Sequence, residues 1–196
     1  MAIINGYATL AQVKAALRIT DSVDDTLLEL ATESASRAID SYCNRVFYST
    51  GLESTRDYSP TSSYLCDVDD ITSITSISTI DDGTLISWTA NDYQLEPLNG
   101  LADSQPVPFN KIRAIGSLGF EVENGEATVR ITGVFGYESI PTAITQAAVI
   151  QASRIFKRLD SPLGIISGEL GSMRVGTRLD PDVAQLVDSH RKIRMA

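Results

Sequence analysis

The 196-residue sequence predicts an α+β fold. The expected architecture is a helical bundle made by the N- and C-terminal segments, with an antiparallel β sheet or barrel inserted between them. Three observations predict it. Apolar residues recur at spacings of three and four near both ends, the period of a helix face. The middle is instead rich in β-branched residues, in runs that stop at Asp/Gly turns. Neither terminal apolar stripe can bury itself alone, so the two must pack together. The expected division is residues 1–50 for the N-terminal helices, 51–137 for the β insertion, and 138–196 for the C-terminal helices with a loop and tail.

Within the first zone, Thr9 can cap a short helix over Leu10 to Leu17. Ser22-Val23-Asp24-Asp25 reads as a second start signal. Ser22 is placed to accept from the Asp25 amide, and an acidic first turn suits the positive end of the helix dipole. Behind it, Leu27, Leu28, Ala31, Ala35, Ala38, Ile39, Tyr42 and Cys43 form one apolar stripe. Small residues in its middle allow close approach of another helix.

In the second zone, Ile71 to Ile80 is β-branched, and Asp81-Asp82-Gly83 reads as a turn. Strands are expected over Thr84–Thr89, Asp92–Leu95, Phe109–Ile115 and Ala127–Phe135, with a polar loop from Pro97 to Pro108. In the third zone, Pro141 fits a first helical position. Ile144, Ala147, Ala148, Ala152, Ile155, Phe156 and Leu159 form the next stripe, which ends at Asp160-Ser161-Pro162. Residues 163–179 read as a loop punctuated by Gly164, Gly168, Gly171 and Gly176. Asp180-Pro181-Asp182 then opens a last helix with a cap, a proline and acidic charge, running to about Ser189.

Composition narrows the function. Apolar residues make up 43% of the chain, enough for a core without metals or disulfides. Apolar runs are too short to span a membrane, and the start Met1 to Leu10 lacks the features of a secretory signal. Folding in a cytoplasm is expected. The net charge is −9, unevenly placed: residues 1–149 carry 20 acidic and 8 basic side chains, and residues 150–196 carry 5 and 8. The acidic body argues against wrapping nucleic acid, which needs Lys and Arg to neutralise phosphates. The basic tail suits an acidic partner, although a solvated basic terminus is the plainer reading.

Chemistry-bearing constellations are scarce. Cys43 and Cys66 have no CxxC spacing and only His190 for company, too few ligands for zinc. They read as semi-buried free thiols, since a disulfide does not fit a cytosolic protein. His190 lies near the tail with no GxSxG elbow in the chain, and reads as a surface residue. Asp67-Val68-Asp69-Asp70 and Asp81-Asp82-Gly83 do not follow a calcium loop, and both read as turns. The glycines of 164–176 match neither GxGxxG nor a Walker lysine loop. No catalytic residue, cofactor or metal is expected. That loop nonetheless carries aliphatics with no obvious core, and it reads equally as folded on its own protein or ordered by a partner.

Two blocks of residues resemble a known family. The first is Tyr7-Ala8-Thr9-Leu10-Ala11-Gln12-Val13-Lys14, then Asp24-Asp25-Thr26-Leu27-Leu28, Ala35-Ser36-Arg37-Ala38-Ile39-Asp40 and Cys43-Asn44-Arg45-Val46-Phe47. The second is Pro141, Ala147-Ala148, Ala152, Arg154, Phe156-Lys157-Arg158, Asp160-Ser161-Pro162-Leu163-Gly164 and Asp180-Pro181-Asp182-Val183. Together they resemble the head–tail connector (adaptor) proteins of long-tailed phages, over residues 7–48 and 138–190. The resemblance implies a structural ring, a dodecamer in the virion neck, assembled in the host cytoplasm. It also implies a place beneath the portal protein and against a tail-side connector, stopper or tail terminator, with DNA passing through the lumen without sequence-specific binding. The C-terminal segment is then expected to reach the portal through Leu163, Ile165, Ile166, Met173, Arg174, Arg178, Arg191, Lys192 and Arg194. Two alternatives stand beside it. One is a tail terminator or completion ring. The other is a glycan-binding or hydrolytic β module using Trp88, Tyr93 and Tyr64 as a platform, although aromatic residues in strands are more often core.

Overall fold

The computed structural model of the chain describes residues 3–102, 104–122, 125–158, 165–168, 171–174 and 179–192. In chain order the elements are α1 (Leu10–Leu17), α2 (Asp25–Cys43), β1 (Glu53–Tyr58), β2 (Leu65–Asp81), β3 (Thr84–Ser87), β4 (Tyr93–Glu96), β5 (Leu101–Ala102), β6 (Gln105–Pro106), β7 (Phe109–Ala114), β8 (Val129–Phe135), α3 (Thr142–Lys157), β9 (Ile165–Gly168), β10 (Gly171–Arg174), α4 (Pro181–Val187) and a 3-10 turn, Asp188–His190. This is an α+β chain. It divides into two compact units, residues 1–45 with 140–196, and residues 46–139.

In the first unit, α1 starts at a capping box. The Thr9 hydroxyl accepts from the Gln12 amide and the Gln12 side chain accepts from the Thr9 amide. In α2, Leu28, Ala31, Ala35, Ile39 and Cys43 are buried. Against it lies α3, which buries Ile144, Ala147, Ala148 and Ala152, and this is the most extensive helix pairing in the chain. Alanines on both faces let two backbones approach. Helix α3 also contacts α1 and α4, and Val183 and Val187 of α4 are buried.

Two polar residues sit in the buried stripe of α2. The Thr32 hydroxyl donates to the Leu28 carbonyl (2.7 Å) and the Ser36 hydroxyl to the Thr32 carbonyl (2.8 Å). Each bonds back one turn, so neither hydroxyl is buried unpaired. The Ser36 oxygen also accepts from the Tyr7 amide at 3.0 Å. Tyr7 itself is buried, and its hydroxyl donates to Asp40.

Three local expectations change here. Ser22 does not cap α2: the N-cap is Asp24, without a side-chain cap bond, and the preceding turn is held by Asp21 accepting from Val23. Nearness of acids to the helix start favours whichever carboxylate closes a local turn first. Pro141 is the N-cap of α3, one position before the expected place. Leu27, read as part of the apolar stripe, is 44% exposed, because the packed face of α2 is centred on Leu28 and Ala35.

The second unit is an open antiparallel sheet of six strands, ordered β1-β8-β2-β7-β4, with β3 paired to β2. It does not close into a barrel. Strand β2 is the spine: its start pairs with β7, its middle and end with β8, and its last residues with β3. Register shifts between Asp67 and Ile71 and again between Ile71 and Ser76 let one 17-residue strand serve these partners in turn. Asp67 to Asp70 thus lie inside β2 and not in a turn, with Asp67 and Asp69 outward and Cys66 and Val68 inward. Alternation with apolar neighbours outweighed the turn preference of aspartate. The turn expected at Asp81-Asp82-Gly83 is present, with Asp82 and Gly83 at φ 43° and 77°.

Trp88, Phe120, Ile77, Ile112, Ile131 and Phe135 lie in the core of this unit. Trp88 stacks on Phe120 at 4.7 Å and its indole donates to the Thr79 hydroxyl at 3.3 Å. On the outside, each basic side chain is taken up by an acid: Arg56 by Asp69, Lys111 by Asp67, Arg113 by Glu96 and Arg130 by Asp57. Residues 46–139 carry fourteen acids against these four bases, so the unit presents a strongly acidic surface. Its chain ends are pinned together. Phe47 and Tyr137 rings lie 5.0 Å apart, and the Ser49 hydroxyl donates to the Phe135 carbonyl at 2.7 Å. A side chain on Gly136, at φ 103°, would fall 2.3 Å from the Tyr48 carbonyl oxygen, so only glycine fits there.

Candidate functional site

The C-terminal segment is the candidate docking site, and α3 and α4 frame it. Leu163, Arg178 and Arg194 lie outside the described residues. Ile165 and Ile166 fall in β9, and Met173 and Arg174 in β10. The two strands pair antiparallel, with Ile166 opposite Met173 and Ile165 opposite Arg174. Residues expected to be a loop therefore include a hairpin. The glycines that suggested a loop flank its connection, where Gly168 pairs with Gly171. This two-stranded sheet stands apart from the others, and an isolated two-stranded hairpin is marginal in water.

Helix α4 is set by Asp180, whose carboxylate accepts from the Asp182 amide at 2.9 Å and pairs with Arg154 of α3. Pro181 follows at the first position. After the 3-10 turn the chain returns to the end of α2. The Lys192 amide donates to the Cys43 carbonyl (2.8 Å), and the Asn44 side-chain amide donates to the Lys192 carbonyl (3.3 Å). The Arg191 guanidinium lies 5.3 Å over the Tyr42 ring. The structure thus separates the expected docking residues into a hairpin group and a basic group fixed on α2.

His190 is 1% exposed, where a surface position was expected. The return of the chain to α2 packs it inside. Both thiols are free and buried, and burial pushes Cys43 and Cys66 up to about 12. Among the described residues, no group of three or more His, Cys, Asp or Glu side chains is arranged to hold a metal ion. Among the described residues, no helix is long and apolar enough to cross a membrane. The aromatic platform does not assemble either: Trp88 is core, Tyr93 packs against that core and Tyr64 is 57% exposed.

One surface escaped the sequence reading. Val23 is exposed in the turn just before α2, and Leu27 and Leu30 are exposed on its first turns. Their three- and four-residue spacing was visible, but the adjacent buried stripe absorbed Leu27.

The comparison with known proteins gives this geometry its setting. Residues 7–77 match the family described as phage gp6-like head-tail connector protein. The first block of the sequence resemblance, residues 7–48, falls within this match. The match begins at Tyr7 and runs into β2, further than the first block of the sequence resemblance, while the second block lies outside it. No curated protein matches this chain in sequence. Solved structures do match it over its whole length. A chain from the neck of an empty gene transfer agent (GTA) particle, computed with C6 symmetry, is 18% identical with a TM-score of 0.60, covering 100% of this chain and 95% of that one. One from the neck of a native GTA particle, computed with C12 symmetry, is 16% identical with a TM-score of 0.59, covering 100% and 94%. One from the virion of a native GTA particle is 17% identical with a TM-score of 0.57, covering 100% and 95%. At these identities the likeness is one of fold.

Proposed function

We propose that the protein is a structural, non-enzymatic head-to-tail adaptor of a tailed phage. Twelve copies form a ring in the virion neck below the portal, extend the DNA channel and offer a surface to the tail-side connector, stopper or tail terminator. The observation that carries this is the connector match over residues 7–77. Full-length fold likeness to chains of symmetric necks supports it. So does the acidic β unit, whose bases are all paired internally. Like charge lets DNA pass without adhering. The unit of residues 1–45 and 140–196 is read as the helical bundle, assembled in the host cytoplasm with its ring.

Within this reading, the hairpin and the basic side chains around it, within residues 161–194, dock on the portal, while Arg191 and Lys192, expected to join them, are held on α2 and set aside from this contact. The hairpin brings Ile165, Ile166 and Met173 to the partner as apolar anchors, and Arg174, Arg178 and Arg194 set register. Ile165→Asp with Ile166→Asp tests it. A charge placed in an apolar contact costs several kcal/mol, roughly. Binding to purified portal rings is expected to be lost while the melting temperature of the free chain stays unchanged. Retained binding would refute portal docking by this segment. Lost stability would place the hairpin in the protein's own core.

A further inference from the structure

The two ends of α2 carry opposite surfaces. At its start, Val23, Leu27 and Leu30 are 86%, 44% and 53% exposed. Single exposed apolar residues are ordinary, but two on one helix face with a third in the turn just before the helix are not. Asp21 and Asp24 flank them. The nearby Lys14 is already taken by Asp25 at 2.6 Å, and Arg18 is the C-cap of α1. The Asp24 carboxylate makes no cap bond.

At the other end of α2 the charge is reversed. Arg191 and Lys192 are held there by the Tyr42 ring and by the backbone bonds to Cys43 and Asn44, with Arg45 beside them. Two acids also lie at this end: Asp188, which accepts from the Tyr42 hydroxyl at 3.3 Å, and Asp40, which is held by Tyr7 and Arg37. Nineteen residues of helix separate the two ends, about 28 Å at 1.5 Å per residue. They cannot meet within one copy.

We propose that these two ends meet between copies. The acidic, apolar start of α2 in one subunit docks on the basic, tyrosine-bearing end of α2 in the next. Opposite ends of one helix make a head-to-tail contact, which closes into a ring when the rotation permits. This rests on the ring reading above, and assigns that ring its charged seam. The leucines and Tyr42 supply apolar burial, while the charges select head-to-tail over head-to-head encounter.

Charge reversal tests the seam. One variant carries Asp21→Lys with Asp24→Lys, the other Arg191→Glu with Lys192→Glu. Self-association of each is measured by sedimentation and negative-stain imaging beside the unmodified chain. Each variant alone now opposes like charges, and assembly is expected to weaken at least about tenfold. Mixed in equal amounts, every contact is complementary again in an alternating ring, and assembly is expected to return to near the unmodified level. A single chain carrying all four substitutions is expected to assemble unaided. If the unmodified chain forms rings and either variant alone forms them equally well, the seam is wrong and the ring stands. The same holds if the mixture and the fourfold variant stay dispersed. If the unmodified chain forms no ring, even at high concentration and with portal rings present, the ring reading fails and this inference with it. Thermal melts within about 2 °C of the unmodified chain establish that the variants are folded.

Discussion

Removing one hydroxyl, by Tyr7→Phe, tests how the N-terminal segment is locked to α2. Tyr7 is 2% exposed, its amide is held by the Ser36 hydroxyl, and its own hydroxyl donates to Asp40. Arg37 lies over the ring at 5.5 Å and bonds the other oxygen of Asp40 at 2.8 Å. Phenylalanine keeps the ring and its burial, so the change isolates the hydrogen bond. A bond to a charged acceptor contributes about 1.5–3 kcal/mol. For a chain of this size that corresponds to a fall of roughly 3–12 °C in melting temperature. Calorimetry at neutral pH reads it. Tyr42→Phe is the control: its hydroxyl reaches exposed Asp188 at 3.3 Å, and its loss is expected to cost under about 0.5 kcal/mol. Equal melting temperatures for Tyr7→Phe and the unmodified chain would refute the claim that this bond anchors the segment.

Three further outcomes follow from the packing and titration. Ile131→Ala, at a fully buried site in the sheet core, is expected to lower stability by about 2–5 kcal/mol in urea unfolding. Cys43 and Cys66 are expected to resist a thiol reagent at pH 8 and to react fully on denaturation, since burial raises both to about 12 and leaves little thiolate. Burial raises Asp40 above its ordinary 3.8, against the opposing pull of Tyr7 and Arg37. A carboxyl with a raised folded value contributes stability below its unfolded value and loses it as pH climbs through the folded one. Asp40→Asn is therefore expected to gain on the unmodified chain as pH rises from 3.8 upward, measured by melts in a pH series. A constant difference would count against the burial effect.

Legibility in the sequence followed the strength of local periodicity. Helix α1 spans the expected residues, because Thr9 and the flanking polar residues leave one solution. Strand β1 went unrecognised because Glu53 to Asp57 are all exposed, so no apolar alternation marks it, and it pairs at the sheet edge. His190 looked like a tail residue, and its burial depends on a contact between segments some 150 positions apart in the chain. The hairpin of β9 and β10 was hidden by its own glycines. Of the candidate site, the basic group at Arg191 and Lys192 was legible as charge, while its anchorage on α2 was not. Likewise Leu27 and Leu30 announce themselves only once Leu28 and Ala31 define the packed face.

The pinned ends of the β unit bear on how such a chain can change. Phe47 and Tyr137 stand together at its doorway, and Ser49 is tied to Phe135. A segment that leaves and re-enters at one point can lengthen, shorten or be exchanged while the two cut ends stay the same distance apart. Selection can thus work on the sheet as an exchangeable cassette, with Gly136 and the paired Phe47 and Tyr137 rings as its fixed attachment points.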